Sequence, residues 1–196
     1  METELKYEQS QDLSAEEMYR LFLNGDENSF ESLVVLYENE LGRFIYNIVH
    51  DYHEAKHLTI EAFAQLAASG RQFAGRSSIK TYLFTIGKNL AIRYMKMVGN
   101  IQHYSFEEVI EISDDENETP DHFLEQEENK RLLREAMVGL KDEHRVVLLL
   151  LYFEDMSYLQ AGQVMQKSEK QIKHLAYRAK LALRKKLENG GFVPSS

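Results

Sequence analysis

Residues 157–187 read SYLQAGQVMQKSEKQIKHLAYRAKLALRKKL, and this stretch decides the fold that the sequence predicts. Two capping boxes of the form S-x-x-Q begin at Ser157 and at Ser168. In a capping box the serine and the glutamine close the start of a helix. Their spacing predicts a helix over 157–166, a tight turn, and a long second helix over 169–187. This order and these lengths are typical of a helix-turn-helix.

The residues inside this predicted motif suit two helices that pack closely. Ala161 and Gly162 are small, which lets the helices approach each other. The side chains that can fill the wedge between them are Val164, Ile172 and Leu175. The turn at Gln166-Lys167 is atypical because it has no glycine, so a left-handed residue there costs roughly 1–2 kcal/mol.

The second helix of the motif carries basic and polar residues on its expected outer side. A recognition helix uses its first turns to reach base edges in the major groove and its flanking bases to contact phosphates. The candidate DNA-binding residues are Ser168, Lys170, Gln171, Lys173, His174, Tyr177 and Arg178. The alternative is a plain helical hairpin whose basic face is only solvated.

Charge is distributed unevenly along the chain, whose net charge is -9. Residues 1–40 carry eleven acidic residues against two basic ones, and residues 101–128 carry eleven acidic residues and no Lys or Arg. Basic residues exceed acidic ones by eight to three over 41–100 and by eight to two over 157–196. Because phosphate neutralisation is local, two basic modules with an acidic connector suit a protein that binds DNA at two places. Solvated charged faces are the alternative interpretation.

Hydrophobic periodicity predicts an all-α chain of two small helical domains, since no alternating strand pattern occurs. Residues 1–13 read as a flexible tail and residues 14–99 as the first domain. Residues 100–119 read as an acidic flexible linker, and residues 120–190 as the second domain, which ends in the helix-turn-helix. Besides the two helices of that motif, the expected helices are 14–24, 26–48, 52–69, 78–99, 120–139 and 141–153. The fifth of these would begin with Pro120 in its first turn and Thr119 as its cap.

Composition limits the classes of protein to which the chain can belong. It has 196 residues, of which 43% are apolar, and this suits globular domains. Cysteine is absent, which excludes disulfides and thiolate metal sites. METELKYEQS at the start resembles no signal peptide, and the longest apolar run, 146–153, is far shorter than the ~20 residues that cross a bilayer. We therefore expect a cytoplasmic protein without membrane insertion.

Residues 53–57 read HEAKH, which matches the H-E-x-x-H pattern of zinc hydrolases on a predicted helix. His53 and His57 would share one helix face, and Glu54 could act as a general base. The longer zincin pattern also requires a glycine and a third histidine at fixed later positions, where this chain has neither. A solvated helix surface is the preferred interpretation, and a zinc hydrolase with a distant glutamate ligand is the remote alternative. We expect no metal, no cofactor and no enzymatic activity.

The segment RQFAGRSSIKTY at 71–82 interleaves basic residues with aromatic ones. A surface of this kind can hold phosphates and stack an unpaired base. The alternative is that Phe73 and Tyr82 belong to the core and that the basic residues only solvate the loop.

Taken together, these segments resemble the extracytoplasmic-function sigma factors of bacterial RNA polymerase, from about Ser14 to Leu187. FESL at 30–33 with LY at 36–37 is similar to the opening of the family's first domain, and residues 82–91 resemble its promoter-melting helix. Residues that resemble its polymerase-binding helix are Ala55, Leu58, Glu61 and Phe63. Blocks that resemble its terminal helix-turn-helix are Leu140, residues 145–148, residues 156–158, residues 172–173 and residues 177–179.

The resemblance implies that the chain binds core RNA polymerase and promoter DNA and directs promoter-specific initiation. The second domain would hold the minus-thirty-five element, and an anti-sigma factor would regulate the protein. Residues implied to bind the coiled-coil clamp of polymerase are Glu54, His57, Leu58, Ile60 and Glu61. Residues implied to hold the melted minus-ten element are Arg71, Phe73, Arg76, Lys80, Lys88 and Asn89.

The sequence departs from the family pattern at several positions. His57 and Ile60 stand where the family usually has Asp and Gln, and Arg93 stands where it usually has Asp. Ala161 replaces a larger apolar residue, and the turn glycine is missing. A helix-turn-helix regulator that binds duplex DNA without polymerase is therefore kept as the alternative function.

Overall fold

A computed structural model of the chain describes residues 13–70, 73, 75–98 and 130–190, and these contain eight α-helices and no strand. The all-α prediction is confirmed. Most of the predicted tail, the predicted linker and the predicted helix start at Thr119 lie outside the described residues.

Four helices form the first unit, and each lies within two residues of its predicted bounds. They are α1 (Ala15–Leu23), α2 (Glu27–Val49), α3 (Tyr52–Ser69) and α4 (Ile79–Val98). Ser14 and Glu17 form the predicted capping box at the start of α1. Asp26 stands at the start of α2, but its carboxylate accepts from the Ser29 hydroxyl (2.6 Å) and makes no hydrogen bond to the helix backbone.

The core of the first unit forms where α1 and α4 pack on α2 and α3. The Tyr19 ring is buried, and its hydroxyl donates to the Leu66 carbonyl (2.9 Å), which ties α1 to the end of α3. Gly87 lets α4 pack closely on the α2 side chains, because a Cβ at this position would lie 2.8 Å from Leu41 Cδ1. A side chain there would require the Leu41 and Ile45 side chains to shift.

The second unit contains four described helices: α5 (residues 130–138), α6 (Asp142–Tyr152), α7 (Tyr158–Met165) and α8 (Glu169–Asn189). The apolar run 146–150 of α6 is buried against α7 and α8. Arg145 begins this buried face, and its Nη2 donates to the carbonyls of Val138 and Leu140, each at 3.1 Å. One guanidinium therefore satisfies a backbone acceptor in the last turn of α5 and another just after it.

The two units pack against each other in the described structure, with α7 lying on α4 and α6 reaching the end of α2. Arg145 Nη1 donates to the Ile48 carbonyl (3.1 Å) and contacts His50 Nε2 (2.9 Å). Lys80 Nζ donates to the Glu154 carbonyl (3.2 Å) in the turn after α6. The sequence predicts two tethered domains and contains no signal for this contact.

The hydropathy of the described helices bears on membrane insertion. Within residues 13–70, 75–98 and 130–190, no helix is both long enough and apolar enough to cross a bilayer.

Candidate nucleic-acid interface

The helix-turn-helix is formed by α7 and α8, and both predicted capping boxes are present. Ser157 accepts from the Gln160 amide (3.2 Å), and Ser168 accepts from the Gln171 amide (3.3 Å). The glutamine side chains accept in return from the serine amides, at 2.9 and 2.8 Å. These caps fix where α8 begins and therefore which of its residues form the first turn.

The turn between α7 and α8 depends on a glycine and on a strained glutamine. Gln166 lies in the left-handed region, with φ 55° and ψ 44°. The backbone strain that the sequence predicts for a turn without glycine is therefore found at this residue. Gly162 accepts from the Lys167 amide (2.9 Å), and a Cβ on Gly162 would lie 2.6 Å from the Lys167 carbonyl oxygen. Because that atom belongs to the backbone, only glycine fits at this position.

The outer face of α8 brings all seven predicted upstream-element residues to the surface. The exposed members of this face are Ser168, Lys170, Gln171, Lys173, His174, Tyr177 and Arg178. Their buried neighbours are Ile172, Leu175, Ala176 and Ala179, which hold α8 on the rest of the unit. This packing fixes which side of α8 is exposed and therefore available to a partner.

Lys173 differs from the other basic residues of this face because it is engaged within the unit. Its Nζ lies 2.6 Å from Glu169 Oε1 and 5.6 Å from the centre of the Tyr158 ring. The hydrogen bond to Glu169 raises the pKa of Lys173. A phosphate would have to compete with Glu169 for this ammonium group.

His144 on α6 lies beside the same basic face. Burial and then the charges of Arg178 and Lys141 lower its pKa, while Glu143 acts in the opposite direction. The lowered pKa favours the neutral imidazole and adds no cation to the face.

The loop before α4 places its aromatic residue against the core. Phe73 is partly buried, and its ring packs on Tyr19 (5.7 Å between ring centres) and on Tyr82 (5.1 Å). This matches the alternative of a core role for Phe73. Arg76 is exposed, whereas Arg71 lies outside the described residues.

Two of the predicted melted-element residues contact the second unit. The Arg76 carbonyl accepts from Gln163 Nε2 on α7 (3.3 Å). Lys80 is partly buried between Glu40 on α2 and the turn that contains Glu154. The Lys80 ammonium is therefore occupied by protein groups in this arrangement.

A shallow groove on the outer side of α4 brings Lys88 and Asn89 together with two further basic residues. Its lining is Lys88, Asn89, Ile92, Arg93, Lys96 and Met97. Arg93 and Lys96 follow Asn89 at four- and seven-residue steps, which is the spacing of one helix face. That spacing is visible in the sequence and would have added Arg93 and Lys96 to the candidate residues. Burial and then the charge of Lys167 lower the pKa of Lys88.

The predicted polymerase-binding residues divide into an exposed face and a buried member. His57 is exposed, and Ile60 is 62% exposed, which is unusual for an isoleucine on a helix with a core side. Leu58 is 5% exposed and packs in the core, so it presents no surface to a partner. Glu61 lies on the outer side and accepts from Arg93 Nη2 (3.0 Å), which links α3 to the groove on α4.

The H-E-x-x-H segment at the start of α3 forms no metal site in the part of the chain that the structure describes. His57 Nδ1 lies 4.0 Å from Glu54 Oε2. No group of three or more potential metal ligands occurs among the described residues, so the donor set of a catalytic zinc is not assembled there.

Two family profiles match the chain, and together they cover most of both units. Sigma-70 region 2 matches residues 33–99, and Sigma-70, region 4 matches residues 130–183. The second match contains α6 and α7 and most of α8, and the first contains the groove on α4.

Relatives match over most of their own length. The RNA polymerase sigma factor YlaC of Bacillus subtilis is 26% identical over 160 residues, which cover 82% of this chain and 92% of the relative. The ECF RNA polymerase sigma factor SigX of the same organism is 27% identical over 165 residues, which cover 83% and 85%. A solved structure of the sigma factor RpoE in complex with the anti-sigma factor NepR from Bartonella quintana matches with a TM-score of 0.61 at 19% identity. This match covers 81% of this chain and 96% of that one. The structural likeness agrees with the helical fold described above.

Proposed function

Because the chain is an extracytoplasmic-function sigma factor of the sigma-70 family, it directs transcription initiation by RNA polymerase, and we propose that its two units bind two different promoter elements. Residues 14–99 are proposed as the unit for core polymerase and the minus-ten element. Residues 120–190 are proposed as the unit for the minus-thirty-five element, and residues 100–119 as the acidic linker between them. The observation that carries this proposal is the pair of separate basic surfaces on α8 and α4.

In the proposed upstream complex, α8 enters the major groove with its first turns. Lys170, His174 and Arg178 are exposed at four-residue steps and can contact base edges or phosphates. Ser168 and Gln171 close the helix start, so their remaining hydrogen-bonding groups would reach the backbone of the DNA.

The proposed site for the melted strand is the groove on α4. Lys88, Arg93 and Lys96 supply positive charge there, and Asn89 supplies an amide that can hydrogen-bond an unpaired base. Phe73 is placed against the core, so we assign it the role of holding the loop and leave stacking to exposed groups.

The proposed surface for core polymerase is the outer side of α3. Ile60 offers exposed apolar area, while Glu54, His57 and Glu61 surround it with polar groups. A small apolar centre with a polar rim is the usual anatomy of a protein interface.

An anti-sigma factor is proposed as the regulatory partner, since the solved relative from Bartonella quintana was determined with one. The protein is further proposed to be cytoplasmic, where core polymerase is, and to have no catalytic activity of its own. It would act by positioning polymerase and by trapping unpaired bases.

The proposal is tested with purified chain, core polymerase and a pool of promoter fragments. We expect the chain to cosediment with the core and to yield discrete promoter-specific transcripts. Lys88→Ala together with Asn89→Ala should keep cosedimentation and lose open promoter complexes, whereas Arg20→Ala on α1 serves as a matched surface control. If the wild-type chain neither binds the core nor initiates selectively, the proposed function is wrong.

The alternative of a polymerase-independent regulator is distinguished by duplex binding alone. A sigma factor that needs polymerase to set the distance between its units should bind a promoter duplex weakly by itself. Tight and sequence-specific binding of the free chain to duplex DNA would favour the alternative.

A further inference from the structure

The contact between the two units contains a cluster of charged groups that the proposed function does not use. Glu154 lies in the turn after α6, and its side chain is buried, with 6% of the residue exposed. Glu40 and Arg43 face it from α2, and Lys80 faces it from α4. Three elements from both units therefore meet at one buried carboxyl group.

The hydrogen bonds of this cluster leave one oxygen atom without a partner. Lys80 Nζ donates to Glu40 Oε1 and to the backbone carbonyl of Glu154 (3.2 Å). Among the described residues, no donor reaches Oε2 of Glu154. A buried carboxylate with an unsatisfied oxygen is costly, whereas a neutral carboxyl group beside a second carboxylate is much less so.

We propose that Glu154, Glu40 and Lys80 form a proton-linked latch that holds the two units together while Glu154 carries a proton and releases them when that proton is lost to solvent. The latch itself depends only on the contact between the units, and its effect on promoter binding rests on the proposed function.

The titration of Glu154 agrees with this geometry. Burial, followed by the charge of Glu40 and a hydrogen bond with its side chain, raises the pKa of Glu154 from 4.5 to about 8, and the charges of Lys80 and Arg43 act in the opposite direction. In the open arrangement Glu154 meets water, and its pKa returns towards 4.5. Closure then binds a proton at Glu154, so the contribution of Glu154 to closure is complete below pH 4.5 and is lost as the pH rises through 8.

His50, elsewhere in the contact between the units, makes closure depend on pH in the opposite direction. It therefore narrows the pH range in which the titration of Glu154 can be followed alone. Burial and then the charge of Arg145 lower the pKa of His50 from 6.5 to about 4. Because Arg145 stays protonated, His50 Nε2 must be the acceptor of their 2.9 Å contact. Protonation of His50 therefore weakens closure as the pH falls from 6.5 to 4. Above pH 6.5 this effect is absent, so Glu154 is the group to follow between pH 6.5 and 9.

The absence of cysteine makes the latch directly measurable in the full chain. Lys56→Cys on α3 and Lys185→Cys on α8 place two exposed thiols on different units, which can carry a donor and an acceptor dye. Energy transfer in the free protein should fall as the pH rises from 6.5 to 9. The equilibrium constant for closure should decrease about 30-fold over this range, because the pKa of Glu154 is about 8 in the closed arrangement and near 4.5 in the open one.

Glu154→Gln is the decisive variant because it keeps the shape and removes the titration. We expect its energy transfer to stay high and flat from pH 6.5 to 9 and to fall below pH 6.5, where His50 acts alone. Glu38→Gln on the exposed side of α2 should behave as the wild type. The lowered pKa of Lys88 favours closure at high pH. Because Lys88 is present in both variants, its effect is the same in each and does not alter their comparison. Circular dichroism over the same range confirms that the helices persist.

Two results would overturn the latch. The first is energy transfer in the wild-type chain that does not change between pH 6.5 and 9. The second is the same pH dependence in Glu154→Gln as in the wild type, which would assign the effect to another group. Neither result would bear on whether the chain supports initiation, which the transcription assay decides separately.

Discussion

At the scale of single residues, Gln166 shows a conflict between a side chain and its backbone. It ends α7 in the left-handed region, which costs an ordinary residue roughly 1–2 kcal/mol and costs glycine little. The strain is retained because Ser168 and Gln171 on one side and Gly162 on the other fix the turn.

We therefore expect Gln166→Gly to stabilise the second unit. The relief of strain exceeds the added flexibility of the unfolded chain, and the net gain should be about 0.5–1 kcal/mol. Denaturant unfolding followed by circular dichroism measures it. Arg184→Gly, at an exposed position in the interior of α8, is the control and should destabilise by about 1 kcal/mol. Equal effects of the two changes would show that the turn is not strained.

Arg178 and Lys173 should contribute unequally to upstream-element binding. Both are exposed on α8, but Lys173 is paired with Glu169 and gains less from a phosphate. In the polymerase complex, Arg178→Ala should reduce the slope of affinity against salt by about one phosphate contact, and Lys173→Ala by less. Arg20→Ala removes the same charge from α1 and should leave the slope unchanged. An unchanged slope in Arg178→Ala would mean that α8 presents another face to DNA.

At the scale of elements, α4 begins with a cap that comes from a different helix. Glu16 Oε1 on α1 accepts from the Ile79 amide (3.1 Å), although 63 positions separate the two residues. A negative oxygen at a helix start satisfies a free amide and interacts favourably with the helix dipole. The start of the helix that forms the basic groove therefore depends on α1.

Glu16→Ala should destabilise the first unit by about 1 kcal/mol, which is the usual cost of losing a cap. Thermal unfolding of the full chain checks this change against Glu31→Ala, an exposed carboxylate on α2 that should have little effect. Equal melting temperatures of the two variants would show that the Glu16 contact contributes nothing to stability.

The elements were predictable because their signals are local. The capping boxes at Ser157 and Ser168, and the apolar spacing of α2 to α4, predict the helices to within two residues. Exposure of the α8 face also follows from spacing, because its polar residues alternate with a buried stripe. The burial of Leu58 also follows from the apolar spacing of α3. The prediction that Leu58 binds polymerase came from the family resemblance and conflicts with that spacing.

The contacts between units could not be predicted in this way. The sequence around Lys80 predicts a DNA-binding residue. In the three-dimensional structure, however, Lys80 contacts Glu40 and Glu154. In the sequence, Arg145 is a single charged residue beside an apolar run. In the structure, its guanidinium donates to carbonyls of both units, those of Ile48 and Val138. A single sequence contains no period or motif that pairs residues so far apart.

At the scale of the whole molecule, the packing of α7 on α4 opposes promoter binding. In the arrangement described, the first helix of the helix-turn-helix lies against the helix that bears the basic groove. Two promoter elements at different positions along DNA would require the units to separate. The closed arrangement should therefore be incompatible with initiation.

A cross-link between the units tests this expectation. Arg76→Cys and Gln163→Cys place thiols on two exposed residues that are joined by a 3.3 Å hydrogen bond. A short cleavable bis-maleimide should abolish promoter-specific transcription by the reconstituted holoenzyme, and cleavage of the linker should restore it. The two single-cysteine variants, treated with the same reagent, set the activity with which the cross-linked chain is compared, because Arg76→Cys also removes one of the predicted melted-element residues. Full activity of the cross-linked chain would show that initiation does not require the units to part.

The hydrogen bond from Arg145 to the Ile48 carbonyl joins positions 97 residues apart, and this separation has a consequence for biosynthesis. A ribosome makes the chain from its amino end at roughly 5–20 residues per second. The α1–α4 bundle can therefore finish folding seconds before Arg145 leaves the exit tunnel. During that interval the Ile48 carbonyl and His50 are hydrated, so docking of the later half is the last event of maturation, and a nascent chain would bind partners through α4 before it could cover that helix.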